Sequence, residues 1–314
     1  MPTRNRPELL ERALRSLVTA MAPVAEHVEV TVSDGSDNDA SGRVVERLLT
    51  DWPGGHTYAW NRPALTLIEN MNLAGGLASG EWVQQLDDDD LMLPTSGQLM
   101  IDTLRRVPSR EQVVVFGAHI VDIDGVKRRE QTFKREEYLP PEAALRRLLR
   151  NSSFVREPMV VVRKTALVEA GMFEPEVGDA ADTDMWVRLL SRYGARCMPA
   201  ATCAYTIHEA AATMGMWNPR TIDVLDGIFD RAVATGVVPE REVRRWEADF
   251  MHQFILAGAY RRLRKGRLAD ARDVLRLFRL PRVRALGPSP KWLPVRLAFT
   301  TAAAIPSGQP SVAR

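Results

Sequence analysis

In residues 80–94, GEWVQQLDDDDLMLP, a short apolar stretch runs straight into four consecutive carboxylates, Asp87, Asp88, Asp89 and Asp90. An earlier stretch, HVEVTV, alternates strictly, with Val28, Val30 and Val32 on one face, and breaks into SDGSDNDASG, which carries Asp34, Asp37 and Asp39. Period-two apolar residues followed by turn formers read as a strand ending in a polar loop. Helical patterns separate these strands. PELLERALRSL spaces Leu10, Leu14 and Leu17 along one face, with Pro7 suited to the first turn and Asn5 placed to cap it. ASGRVVERLL follows the first acidic loop, and the small residues of NMNLAGGLASG precede the second. Alternating strands and helices predict an α/β chain with a doubly wound, mainly parallel sheet, which binds ligands outside the carboxyl ends of its strands. Both acidic loops lie there.

Further on, QVVVFGAHIVDIDGVKRRE reads as a strand pair turning near Asp124-Gly125, and EPMVVVRKTALVEAGMF as a strand followed by a helix ending near Gly171. From about Trp217 the pattern is helical and basic, in WEADFMHQFILAGAYRRLRKG and RLADARDVLRLFRL. The expected boundary lies near residue 215, giving an α/β domain over 1–215 and a basic helical region over 216–314. Net charge is +2, yet residues 261–296 hold 12 Lys or Arg against 2 Asp, which leaves the remainder at −8. Such a block suits an anionic membrane face, nucleic acid, or simply a solvated helical surface. No apolar run reaches the roughly 18–20 residues that span a bilayer, and the N-terminus has no signal-peptide core, so a cytoplasmic location is expected. Cys197 and Cys203 sit in no CxxC pair and read as buried free thiols.

On an extended backbone, Asp87 and Asp89 point one way and Asp88 and Asp90 the other. Carboxylates this close repel one another, and a divalent cation is the simplest offset; oxygen ligands suit Mg²⁺ or Mn²⁺. A run of Asp in a solvated loop is the plainer alternative.

Four stretches, in order, carry a resemblance to a known family. PTRNRPELLERALRSL is similar to an opening PTYNR and first helix, VSDGSDND to DDGSxD, NLAGGLASGEWVQQLDDDD to NxGxxxAxGEYIxFLDDDD, and GDAADTDMWVRLLSRYG to EDWDLWLRL. Together they resemble the inverting family 2 glycosyltransferases of GT-A fold, over roughly the first two thirds of the chain. The resemblance implies transfer of a hexosyl group from a nucleotide-diphospho-sugar to a hydroxyl of a glycan, lipid-linked or small-molecule acceptor, with Mn²⁺ or Mg²⁺. It implies that Asp34 contacts the nucleotide base, with Thr3 and Arg4 near the same pocket. Asn72 and Asp88 also fall in the nucleotide-binding stretches. Asp87 and Asp89 form the D-x-D pair, Asp87 nearer ribose and metal, Asp89 the main metal ligand. Asp182 falls where the family keeps its catalytic base, although an Asp there also suits a helix cap. His208, in AYTIHEAA, resembles the histidine of YRxHxxS and is implied as a metal or phosphate contact, and a structural hydrogen-bonding role is the alternative. Trp186 reads as a packing residue, near the acceptor by the family pattern.

This sequence departs from the pattern in three places. The family has an apolar strand ahead of its PTYNR motif, whereas this chain opens on Met1-Pro2-Thr3, which leads to the expectation of a true start upstream. Met71 stands where a basic residue is frequent, and Ala181 where Glu usually precedes the catalytic Asp. A nucleotidyltransferase would need a Gly-rich basic triphosphate loop near its N-terminus, and none is found. The rival from another class is a degenerate, non-catalytic module acting through its basic tail. For an active enzyme, two roles stay open for the tail: peripheral contact with the inner face of the membrane, with KWLPVRLAF as an amphipathic foot, or simple packing on the catalytic domain; no nucleic-acid partner is expected.

Overall fold

The computed structural model describes residues 1–208 and 215–304. The chain divides into two compact units, Met1–Ala211 and Ala212–Arg314.

The first unit opens with β1 (Pro2–Thr3), α1 (Pro7–Met21), β2 (Val30–Asp34), α2 (Ala40–Leu49) and β3 (His56–Trp60). The three strands form a wholly parallel sheet, with Thr3 opposite Asp34 and Asp34 opposite Trp60. α1 buries Leu10, Ala13, Leu14 and Leu17, the stripe that i, i+3, i+4, i+7 spacing creates. Pro7 is its first residue, but Asn5 is not its cap. The capping position falls to Arg6, without a side-chain bond. Asn5 instead takes a left-handed φ of 55° and latches two loops together: its N–H donates to Ser36 Oγ at 2.8 Å, and its amide exchanges 2.9 Å bonds with the Asp37 carboxylate and backbone N–H.

After α3 (Leu67–Leu77) come β4 (Trp82–Gln84), β5 (Leu91–Met92), α4 (Ser96–Arg106), β6 (Val113–Asp122), β7 (Lys127–Gln131), β8 (Glu137–Leu139), α5 (Pro141–Arg150), β9 (Val160–Arg163), α6 (Lys164–Glu169), α7 (Ala181–Tyr193) and β10 (Ala195–Ile207). A seven-stranded sheet has the order β4-β9-β6-β10-β5, with β7 added on β6 and β8 on β10. β6 and β10 pair in parallel along most of their length. β9 lies antiparallel between β4 and β6, so β4 runs in the same sense as β6. Val113–Ala118 is continuously buried, as a strand covered on both faces requires. The β6–β10 register shifts between Cys197 and Ala201, where Pro199 offers no ladder donor. The turn expected near Asp124-Gly125 is present, with Gly125 at φ 81° and Val126 N–H donating to Asp122 Oδ1 at 2.8 Å. Both cysteines are buried free thiols.

The second unit is helical among its described residues: α8 (Pro219–Ala234), α9 (Glu240–Leu263), α10 (Leu268–Arg276), a 3₁₀ turn (Leu277–Arg279), α11 (Pro281–Ala285) and α12 (Leu293–Ala304). Gly258 of α9 faces Trp217 so closely that a Cβ would lie 2.3 Å from the indole Cδ1. That explains a glycine mid-helix despite its propensity cost of about 1 kcal/mol. The indole then stacks on Phe254 at 5.5 Å. Among the described residues no helix is long and apolar enough to cross a membrane.

Candidate active site

β2, β4 and β10 deliver their carboxyl ends to one place, and the acidic turn lies at its centre. The run after β4 does not stay extended. Asp90 N–H donates to Asp87 O at 3.2 Å, closing a turn that brings Asp90 round to Asp87 and Asp89. One ligand atom from each of these three lies within 4.8 Å of the others. The alternation expected from an extended backbone holds for Asp87 and Asp89, with Asp88 turned instead to Thr3 and Arg6, and fails for Asp90. Asp90 is therefore a candidate ligand that sequence reasoning missed, because a turn has no period of two.

Each carboxylate has its own neighbours. Asp88 is buried and accepts from Thr3 Oγ1 at 2.8 Å and from Arg6 Nη1 at 3.3 Å. Arg6 Nη1 also stands 3.6 Å from Asp89 Oδ2. Asp89 Oδ2 is 2.8 Å from His208 Nε2, and its carbonyl accepts from Thr206 Oγ1 at 2.5 Å and Arg12 Nη2 at 3.1 Å. Asp90 accepts from Thr206 N–H at 2.7 Å. The end of β10 thus buttresses the turn, and His208, the next residue, joins it. Arg6 was missed in the sequence although it is a basic residue of the PTRNR stretch.

Asp34, fully buried at the end of β2, accepts from Ser36 N–H and Tyr58 OH, both at 2.7 Å. It connects to the turn through Thr3, its register partner, which bonds Asp88. Arg4 is exposed, and its aliphatic part lies against Gly35, where an added Cβ would sit 3.7 Å from Arg4 Cδ. Asn72 is not brought to the turn by any bond: its Nδ2 donates to Phe173 O at 2.7 Å and its Oδ1 accepts from Phe173 N–H at 3.0 Å. The asparagine that ties α3 to β1 and β2 is Asn70, which donates to Thr3 O at 3.1 Å and accepts from Ser33 Oγ at 2.5 Å. Met71 beside it is buried. Asp37 is held by Asn5 and Asp39 pairs with Arg43 at 2.5 Å, so neither joins the acidic turn.

Asp182 lies in the first turn of α7, where its Oδ1 accepts from Thr183 N–H at 2.5 Å. The cap position proper falls to Ala180. Burial raises the Asp182 carboxyl above its usual value, and the hydrogen bonds from Thr183, with a smaller contribution from Arg156, partly offset this. Glu157 was missed altogether. It is buried, and its carboxyl is pushed well up by burial and then by Asp87, Asp182 and Asp90. Its Oε2 and Trp186 Nε1 have no partner among the described residues, and Glu157, Gln85 and Trp186 line one cavity of about 20 Å³, a volume that fits one water molecule. Trp186 is 4% exposed, the packing role expected for it. Arg156, the cation beside Asp90 and Asp182, stacks 4.5 Å over Tyr205. REPM carries no motif that would have singled out either residue.

The donor set fits a hard divalent cation: three clustered carboxylates with an imidazole at their edge. Burial, and then repulsion from its neighbouring carboxylates, pushes Asp87 up to about 7. Asp88 rises to about 6, mainly by burial, with Thr3 and Arg6 opposing. A carboxyl with a raised folded pKa binds its proton more tightly folded than unfolded, so stability falls as pH rises from near 3.8 through the folded value. With chelator present, this site is expected to raise the melting temperature as pH falls from about 8 to about 5. Mn²⁺ should flatten that trend by stabilising the charged forms. Calorimetric melting curves across pH that run parallel with and without Mn²⁺ would contradict this.

The family model described as "Glycosyl transferase family 2" matches residues 1–171. An uncharacterized protein of Mycobacterium tuberculosis, MT1568, is 25% identical over 222 residues, covering 67% of this chain and 66% of that protein. Among solved structures, S. aureus TarS 1-349 in complex with UDP-GlcNAc aligns with a TM-score of 0.66 and 16% identity, covering 96% of this chain and 86% of that one. The mannosyltransferase PcManGT from Pyrobaculum calidifontis, in complex with GDP-Man and Mn²⁺, aligns with a TM-score of 0.57 and 19% identity over 97% and 84%. At these identities the structural likeness shows a shared fold. The chain spans 52% of the longer TarS chain that it also matches.

Proposed function

Because the chain belongs to glycosyl transferase family 2, we propose that it transfers a sugar from a nucleotide-diphospho-sugar to an acceptor hydroxyl, with inversion at the anomeric carbon and dependence on Mn²⁺ or Mg²⁺. Its fold is the α/β GT-A type. The observation that carries the reading is the convergence of Asp87, Asp89 and Asp90 at the carboxyl ends of β4 and β10, beside His208.

In this reading Asp87, Asp89 and Asp90 hold the cation, with His208 at its edge. When bound, the cation supplies Lewis-acid neutralisation of charge on the departing diphosphate. Asp34, Thr3 and Arg4 line the nucleoside side. Arg6, already beside Asp88 and Asp89, supplies a second positive charge near the phosphates. Asp182 takes the proton from the acceptor hydroxyl as its oxygen attacks the anomeric carbon, and the bond to the diphosphate oxygen breaks on the opposite face. A carboxyl raised by burial is a stronger base than one in water, which suits it to this step. The complexes of the neighbours, UDP-GlcNAc for TarS and GDP-Man with Mn²⁺ for PcManGT, support a nucleotide-sugar donor and a divalent ion here. Thermal shift over a panel of sugar nucleotides tests this: a cognate donor at about a hundred times its Kd adds roughly 2.7 kcal/mol of stability, and is expected to do so only with the ion present. A panel in which no donor shifts the melting temperature overturns the donor assignment. Retained anomeric configuration in the product, read by NMR, overturns single displacement.

A further inference from the structure

In the helical unit, α10, the 3₁₀ turn Leu277–Arg279 and α12 line a cavity of about 400 Å³ whose polar lining is dominated by Arg272, Arg276, Arg279 and Arg296. No carboxylate lines it among the described residues. Arg276 alone has an acidic partner there, Asp273 at 2.6 Å. Arg296 is half-buried, its guanidinium 4.0 Å over the Phe278 ring, so one charge is held at the wall while Arg272 and Arg279 are exposed beside it. Four guanidiniums with one counter-charge repel each other, and an anion with several oxygens relieves this best, since each planar fork can donate two bonds.

α12 decides which anion. It buries only Ala303, and Arg296, Thr300 and Ala303, at i, i+4 and i+7, line the cavity. On the adjoining face Leu293 and Leu297, one turn apart, are 40% and 62% exposed. An apolar stripe beside a guanidinium-lined cavity pairs acyl chains with a phosphate, whereas a soluble phosphate needs no stripe.

We propose that the cavity seats the phosphate of an anionic lipid headgroup while Leu293 and Leu297 enter the acyl layer, making the helical unit a membrane anchor. This stands independently of the transferase reading.

The test is co-sedimentation of the full chain with phosphatidylcholine vesicles, with and without phosphatidylglycerol. Binding is expected only with phosphatidylglycerol and is expected to weaken with salt. Removing two exposed charges, in Arg272→Gln/Arg279→Gln, should cut affinity roughly 25-fold, at about fivefold per arginine. Leu297→Glu, at an exposed position where folding is undisturbed, should weaken vesicle binding while leaving any shift in melting temperature by inorganic pyrophosphate intact. Unchanged vesicle affinity in the double-arginine variant overturns the proposal. So does pyrophosphate stabilisation, measured with chelator present and lost in Arg272→Gln/Arg279→Gln, together with vesicle binding that ignores phosphatidylglycerol, which would assign the cavity to a free phosphate. Nucleotide calorimetry on the same variants reads the transferase site separately.

Discussion

Asp182→Asn is expected to lower turnover by roughly 10²–10⁴-fold, the usual worth of a positioned general base, while leaving nucleotide and metal binding in place. The substitution is nearly isosteric, and an asparagine Oδ1 still accepts the bond that Thr183 N–H now gives to Asp182. The start of α7 should therefore persist, and a loss of rate without a loss of melting temperature isolates the proton-accepting role. The measurement is release of nucleoside diphosphate from the cognate donor, with calorimetry of the Mn²⁺-nucleotide complex alongside. Wild-type turnover in this variant would remove Asp182 from the mechanism. The same variant separates an enzyme from a degenerate binding module, because a scaffold would keep its biological activity.

Asp89→Ala should abolish most of the metal-dependent nucleotide affinity, by about 100-fold or more, since even groups that merely orient a ligand are worth 10–100-fold. Asp89 Oδ2 is approached by both His208 Nε2 and Arg6 Nη1, so the substitution removes the carboxylate that both side chains face. Nucleotide affinity measured without metal should change far less, because the Asp34 and Thr3 side keeps its bonds. Calorimetry giving an unchanged, Mn²⁺-dependent affinity would exclude Asp89 from the cation site. Asp90→Asn is a useful contrast. Its Oδ1 accepts from Thr206 N–H, so the turn keeps its buttress and only ligand charge is lost.

Much of this was legible in the chain. The Leu10, Leu14, Leu17 stripe, the alternation ending at Asp34, the turn at Gly125 and the helical tail are all local patterns, and local patterns depend only on the period of the backbone that carries them. The stretches around Asp34 and Asp87 to Asp90 pointed to the strand ends where a doubly wound sheet binds ligands. Asn5 shows the limit: its side chain suits a cap, yet a long-range latch to Asp37 took it. Asn72 shows it again, since the choice between it and Asn70 depended on which face of α3 met Thr3 and which met Phe173.

What the residue order determines, then, is which elements form and where its acidic stretches fall among them, because propensity and period act over neighbours in sequence. Only the folded chain decides that Asp90 swings into the cluster, that Arg6 reaches across 82 and 83 positions to Asp88 and Asp89, that Arg156 and Glu157 lie beneath them, and that four arginines share one cavity. Those encounters come from the closing of a turn and the packing of distant strands and helices. Charges placed together in this way interact through a few ångströms of low-dielectric interior, a distance that spacing along the sequence does not encode.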